Sequence, residues 1–183
     1  MIFNIKDKQK GILSTLCFAL MALYLIYKPI IFDLNTTYLG DLHDGFKNYY
    51  TVLYHVKHDK SYWHFEGMNY PYGESVLFTD NQPFLSNILK WIHENIFVID
   101  DYLIGIINTL PIFGTLLTAL LIFLIFNYFR MPWFFSSLIA VAISFMSPGI
   151  LRIAGHFALA YTFIIPAIIY LCLLFYKEEK YWY

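Results

Sequence analysis

Residues 40–82 read GDLHDGFKNYYTVLYHVKHDKSYWHFEGMNYPYGESVLFTDNQ, the one long polar run in the chain, with apolar runs on both sides of it. Most of the ionisable side chains suited to chemistry fall inside it. The rest of the 183 residues differ sharply: 59% of the whole chain is hydrophobic and only 14% is charged. Mean hydropathy is +0.56. A soluble domain has roughly 45–50% apolar and about 25% charged residues. The apolar excess gathers into runs approaching the ~20 residues that a helix needs to cross a bilayer. Composition therefore predicts a polytopic membrane protein whose helices hold this polar run at the membrane surface.

Working outward from that loop, hydropathy predicts spans over residues 12–32, 102–126, 132–146 and 157–176. Lys6, Lys8 and Lys10 precede the first, Arg130 lies between the second and third, and Lys177 and Lys180 follow the fourth. Basic residues mark cytoplasmic segments, so the N-terminus is predicted inside and the long loop outside. The Lys-rich start resembles a signal peptide, but its apolar run is too long and no small-residue cleavage site follows, which predicts a retained anchor. The expected fold class is an all-α membrane protein of about four transmembrane helices, with interfacial amphipathic helices in a large first extracytoplasmic loop. Residues 1–32 form the cytoplasmic start and first span, 33–101 the extracytoplasmic loop, and 102–183 the remaining spans. The lipid bilayer is thus the first partner. Trp63, Trp91, Tyr102, Trp133 and Tyr176 sit where an aromatic belt belongs, and Pro166 predicts a kink in the last span. A net charge of −1 gives no case for nucleic acid. Cys17 and Cys172 lie in apolar runs and are expected as small buried hydrophobes.

Inside the loop, Asp44, Lys47, Asn48, Thr51, His55 and His58 share one helical arc, and Phe46, Tyr49, Tyr50, Leu53 and Val56 share the opposite one. This predicts an amphipathic helix lying flat in the interface. Asp44 stands at its start, near the positive end of the helix dipole. It is either a cap alone or one of a pair with Asp41, two carboxylates able to converge on one cation or one hydroxyl. Lys47, one turn on, joins the substrate-binding candidates. The GMNYPYGE segment predicts two tight turns with exposed tyrosines. Tyr70 can stack on a sugar or anchor the loop, and Glu74 and Asp80 are either solvated charges or substrate ligands. Residues 84–97 repeat a helical alternation and predict a second interfacial helix. His55 and His58 have a metal-ligand spacing, but with no HExxH motif they predict no metal site. In the short second outer loop, Arg152 and His156 lie four residues apart and suit an anionic group such as a phosphate. Lipid-headgroup contact by Arg152 and a plain helix end at His156 are the alternative.

Taken together, the Gly40-Asp41-Leu42-His43-Asp44-Gly45 segment, the GFKNYYTVLYH helix, the GMNYPYGESVLFTDNQP segment and SPGILRIAGHFALAY resemble the N-terminal part of an integral-membrane glycosyltransferase of the C type (GT-C). The likeness is to bacterial members of the Bacteroidetes kind. That superfamily has a cytoplasmic N-terminus, a first span and a large outer loop with an acidic motif at its start. The resemblance implies an inner-membrane enzyme that moves a sugar from a polyprenyl-phosphate donor to an extracytoplasmic acceptor. It implies that Asp44 or Asp41 is the general base, or helps hold a divalent cation in members that use one. Arg152 and His156 would then face the donor phosphate. The superfamily has more spans than the four expected here, so the chain reads either as a truncated or partial module or as a reduced protein. A non-enzymatic membrane scaffold, binding a partner or lipid headgroups through its loop, is the competing expectation. It predicts an exposed aromatic patch in place of converging acids. A transporter would need polar groups at mid-span, and no acid or histidine lies there.

Overall fold

The computed structural model describes residues 5–39, 44–153 and 155–178. Seven α-helices order the described chain: α1 (Ile5–Ile31), α2 (Asp44–Lys57), α3 (Pro83–Asn95), α4 (Leu103–Tyr128), α5 (Trp133–Phe145), α6 (Pro148–Arg152) and α7 (Ile164–Glu178). Three stretches, Lys6–Ile31, Asp100–Tyr128 and Trp133–Arg152, are long and apolar enough to cross a membrane. The fourth apolar helix, Ile164–Tyr176, is shorter. It starts seven residues later than expected because Phe157–Ala160 wind into a 3-10 turn instead. Pro166 consequently sits in the first turn of α7, where its missing N–H costs no ladder bond and no kink is required.

Pro29 and Pro111 lie inside α1 and α4. Each removes one backbone donor from its helix, and the chain divides at both into two compact units. One comprises Met1–Lys28, Ile112–Leu151 and Tyr161–Tyr183, and the other Pro29–Pro111 with Arg152–Ala160.

The first unit is a helical bundle with small residues at its contacts. A Cβ on Gly11 would overlap the Phe123 ring, so α1 and α4 approach closely there. The Ser137 hydroxyl donates to the Gly11 carbonyl at 3.0 Å, and Thr118 and Thr162 share a hydrogen bond at 2.9 Å. Such small and hydroxyl-bearing contacts are how helices associate where lipid removes the hydrophobic drive between them. Cys17 and Cys172, expected buried, are both exposed. An apolar thiol on the outside of an apolar helix loses nothing if hydrocarbon is its solvent.

The second unit contains the polar loop. Here α2 and α3 pack together, and between them His64–Phe65 (β1) pairs antiparallel with Glu74–Ser75 (β2), with His64 opposite Ser75. The turn joining these strands is hydrogen-bonded from Tyr72 N–H and Gly73 N–H to the Asn69 carbonyl, at 2.9 and 3.1 Å. Gly73 takes φ +65°, a backbone state that glycine adopts freely. Tyr70 and Tyr72 are 94% and 84% exposed at its tip.

The polar arc of α2 is solvated at its two ends, Asp44 and His58, and mostly buried between them. Asn48, Thr51 and His55 are buried, whereas Phe46 and Tyr50 from the aromatic arc are exposed. Burial is tolerated because each polar group finds a partner. His55 Nδ1 lies 2.7 Å from Asp59 Oδ2, and Nε2 lies 2.9 Å from Asn87 Oδ1 on α3. Asp59 Oδ1 accepts from the Glu66 N–H at 2.9 Å. Lys90, fully buried on α3, donates to the Asp59 carbonyl and pairs with Glu94 at 2.6 Å. Tyr62 donates to the same Glu94 at 2.5 Å. This network joins the two helices to each other and to the segment between them.

The Lys90 ammonium, and after it the Tyr62 hydroxyl, hold the Glu94 carboxyl below its usual value of 4.5. A depressed folded pKa means that the stabilisation is complete above the unfolded value and is lost as pH falls through the folded one. Thermal midpoints of the protein in detergent should therefore fall on acidification below pH 4.5, and fall less steeply in Glu94→Gln. Parallel curves for the two proteins would disprove the linkage.

Candidate functional site

Asp44 lies in the first turn of α2. Its position depends on three anchors. Tyr49, one turn further along α2, is buried with its ring edge-on to Tyr38 and to Phe157, at centroid distances of 4.8 and 5.1 Å. The Tyr49 hydroxyl accepts from the Leu39 N–H at 2.9 Å and donates to Asn108 Oδ1. Asn108, buried near the start of α4, in turn donates to the carbonyls of Leu34 and Thr37 at 2.6 and 2.7 Å. One phenol and one amide thus fix the chain on both sides of residues 40–43.

The third anchor brings in the second loop. Asn48 Nδ2 donates to the Gly155 carbonyl at 2.7 Å and to its own helix at Asp44 O, at 2.8 Å. Gly155 sits over Asp44, where a Cβ would come 3.7 Å from the aspartate Cβ. As a result, His156 Nε2 lies 3.9 Å from Asp44 Oδ2. That is ion-pair range rather than a hydrogen bond. The Asp44 and His156 side chains are 68% and 45% exposed, so a ligand can reach both.

The other sequence candidates divide into groups. Lys47 and Asp80 form an ion pair at 2.9 Å, which ties α2 to the segment before α3. Beside that pair the backbone is unusual: Asp80 and Gln82 take φ of 60° and 53°. Asn81 between them is fully buried, and both its amide nitrogen and its oxygen have no hydrogen-bond partner among the described residues. The Ser86 hydroxyl, one turn into α3, is likewise buried and unpartnered. Leaving such groups dry and unpaired costs about 1–3 kcal/mol each. Arg152 is exposed and makes no ion pair among the described residues. Its backbone carbonyl holds the turn, accepting from the N–H groups of Gly155 and His156 at 3.1 and 2.7 Å. Tyr70 and Glu74 belong to the β1–β2 turn, where Glu74 accepts from Asn69 at 2.8 Å, and neither bonds to the Asp44–His156 pair. Asp41 lies outside the described residues.

Sequence reasoning missed Asn48, Gly155, Asn81 and the Asp59–Lys90 contact. Asn48 was legible only as one of several polar residues on an arc, and its partner is 107 positions away. Among the described residues no three His, Cys, Asp or Glu side chains converge to hold a metal ion.

The chain belongs to the family described as a domain of unknown function, DUF6311, whose model matches residues 15–183. No curated protein and no solved structure matches it.

Proposed function

We propose that this member of the family belongs to the membrane glycosyltransferases of the C type. It would take a sugar from a polyprenyl-phosphate donor and pass it to an acceptor outside the cytoplasm. The observation that supports this most directly is the exposed Asp44 carboxylate, held by three anchors within 3.9 Å of His156 from a loop more than a hundred residues away. A cap alone would not need that company.

In this reading Asp44 takes the proton from an acceptor hydroxyl while the hydroxyl oxygen attacks the anomeric carbon. The bond from that carbon to the phosphate oxygen breaks, and its electron pair leaves with the polyprenyl phosphate. Arg152, and His156 when protonated, offset the charge on the departing phosphate. Asp41, three residues before Asp44, is the second candidate for the base. Lys47 and Asp80 reach substrate only if their ion pair opens, so their first role is to brace α2. Tyr70 and Glu74 would meet the acceptor at the strand turn. The protein would lie in a bacterial inner membrane, N-terminus inside and residues 33–101 outside, with α7 as a fourth short span.

The competing reading, a scaffold whose loop binds a partner or lipid headgroups, also has an observation in its favour. Trp63, Phe84, Ile88 and Trp91 line an open apolar groove of about 430 Å³ in the second unit. Membranes carrying the full-length protein, incubated with labelled polyprenyl-phosphate hexoses, separate the two. Label should pass to a non-donor product in the enzyme reading. Donors left intact across a panel of hexoses would favour the scaffold.

A further inference from the structure

A second cavity, of about 470 Å³, lies in the first unit where the ends of α1, α4 and α7 meet. It is independent of the Asp44 chemistry. Among the described residues two cations line it, Lys8 from α1 and Arg130 from the turn after α4, and no carboxylate. Neither cation has an acidic partner among the described residues; the nearby Lys10 pairs with Asp7. Asn127 and Tyr170 add polar groups to the wall, and Leu124 and Leu174 add apolar surface. Two cations without an acidic partner among the described residues repel each other in one partly enclosed space, and a bound anion would relieve that repulsion.

The backbone at Arg130 gives a second, separate indication. Arg130 N–H bonds to the Asn127 carbonyl and Met131 N–H to the Phe126 carbonyl, both at 3.1 Å. These are the two bonds of a Schellman helix end, whose left-handed residue is usually glycine. Here an arginine takes φ +61°. A side chain at this position strains the backbone. A glycine would close the helix equally well, so the guanidinium has a use of its own that the helix end does not explain.

We infer that this cavity binds a phosphate-bearing anion, with Lys8 and Arg130 as its charge partners, Asn127 and Tyr170 as further polar contacts, and Leu124 and Leu174 against any apolar portion. The phosphate could be that of an anionic lipid headgroup or a free ion, and the chemistry of recognition is shared. Arg130→Gly and Lys8→Gln test it in the full chain purified in detergent. Retention of phosphatidylglycerol and of phosphatidylcholine is measured by native mass spectrometry, and binding of labelled inorganic phosphate by equilibrium dialysis. The expected result is selective binding of phosphatidylglycerol over phosphatidylcholine, or binding of inorganic phosphate, weakened about tenfold by either variant. The first outcome identifies the lipid as the source and the second the free ion. Arg130→Gly should bind less yet melt no lower than the parent, because the glycine removes backbone strain; a purely structural arginine would show the reverse. Equal retention of the two lipids with no phosphate bound, or unchanged binding in both variants, would overturn the assignment.

Discussion

Asp44→Asn is expected, on the proposed glycosyltransferase reading, to lower sugar transfer by about 10²–10⁴-fold, the range that a positioned general base contributes. The substitution is chosen because it separates the two roles that an acid in a helix's first turn can have. As a partner to the helix dipole, a carboxylate contributes about 0.3–1 kcal/mol when exposed, and Asp44 is 68% exposed. Asparagine would lose no more than that, and the thermal midpoint should barely move. As a base, asparagine is useless at any pH. A variant that melts with the parent and transfers no sugar is the expected outcome. Normal initial rates would remove Asp44 from the chemistry and leave it a helix-end residue. The same assay on His156→Gln should show a smaller loss, since His156 meets the leaving group and does not take the proton in this scheme.

The other large effect is expected at the buried Asp59–His55 pair. Asp59→Ala should destabilise the protein by about 3–5 kcal/mol, as removal of one partner from a buried polar pair does elsewhere. Asp59 and His55 side chains are both completely buried. The alanine would strand His55 Nδ1 and the Glu66 N–H, each of which now has an Asp59 oxygen at 2.7 or 2.9 Å. Nothing in that interior replaces them. For a chain of this size such a loss corresponds to a fall of about 10 °C in thermal midpoint, at roughly 2–4 °C per kcal/mol. Asp59→Asn, which keeps one acceptor, should fall between parent and alanine. A shift of under about 2 °C for the alanine variant would mean that the pair opens to water at little cost. Because Asp59 follows the C-terminal end of α2, whereas Asp44 lies in the first turn of that helix, these variants should change transfer only in proportion to the protein still folded.

The helical, membrane-compatible character of the chain was legible in its residues, and so were the positions of α2, α3 and the tyrosine-tipped turn. These depend on local quantities: mean hydropathy over a helix length, the angular spread of apolar side chains, and the turn preferences of Asn69, Pro71 and Gly73. What the residues did not reveal is which side of α2 faces inward. Periodicity sorts side chains into arcs, and hydrophobicity alone would turn the Asn48–Thr51–His55 arc outward. The tertiary structure turns it inward because the partners that make burial tolerable arrive from distant positions: Asn87 for His55, and Gly155 for Asn48. A hydrogen bond depends on three-dimensional distance and carries no signature of its partner's place in the sequence. The same reason explains the orphaned Asn81 and the joint lining of one cavity by Lys8 and Arg130, two basic residues that read along the chain only as signs of topology.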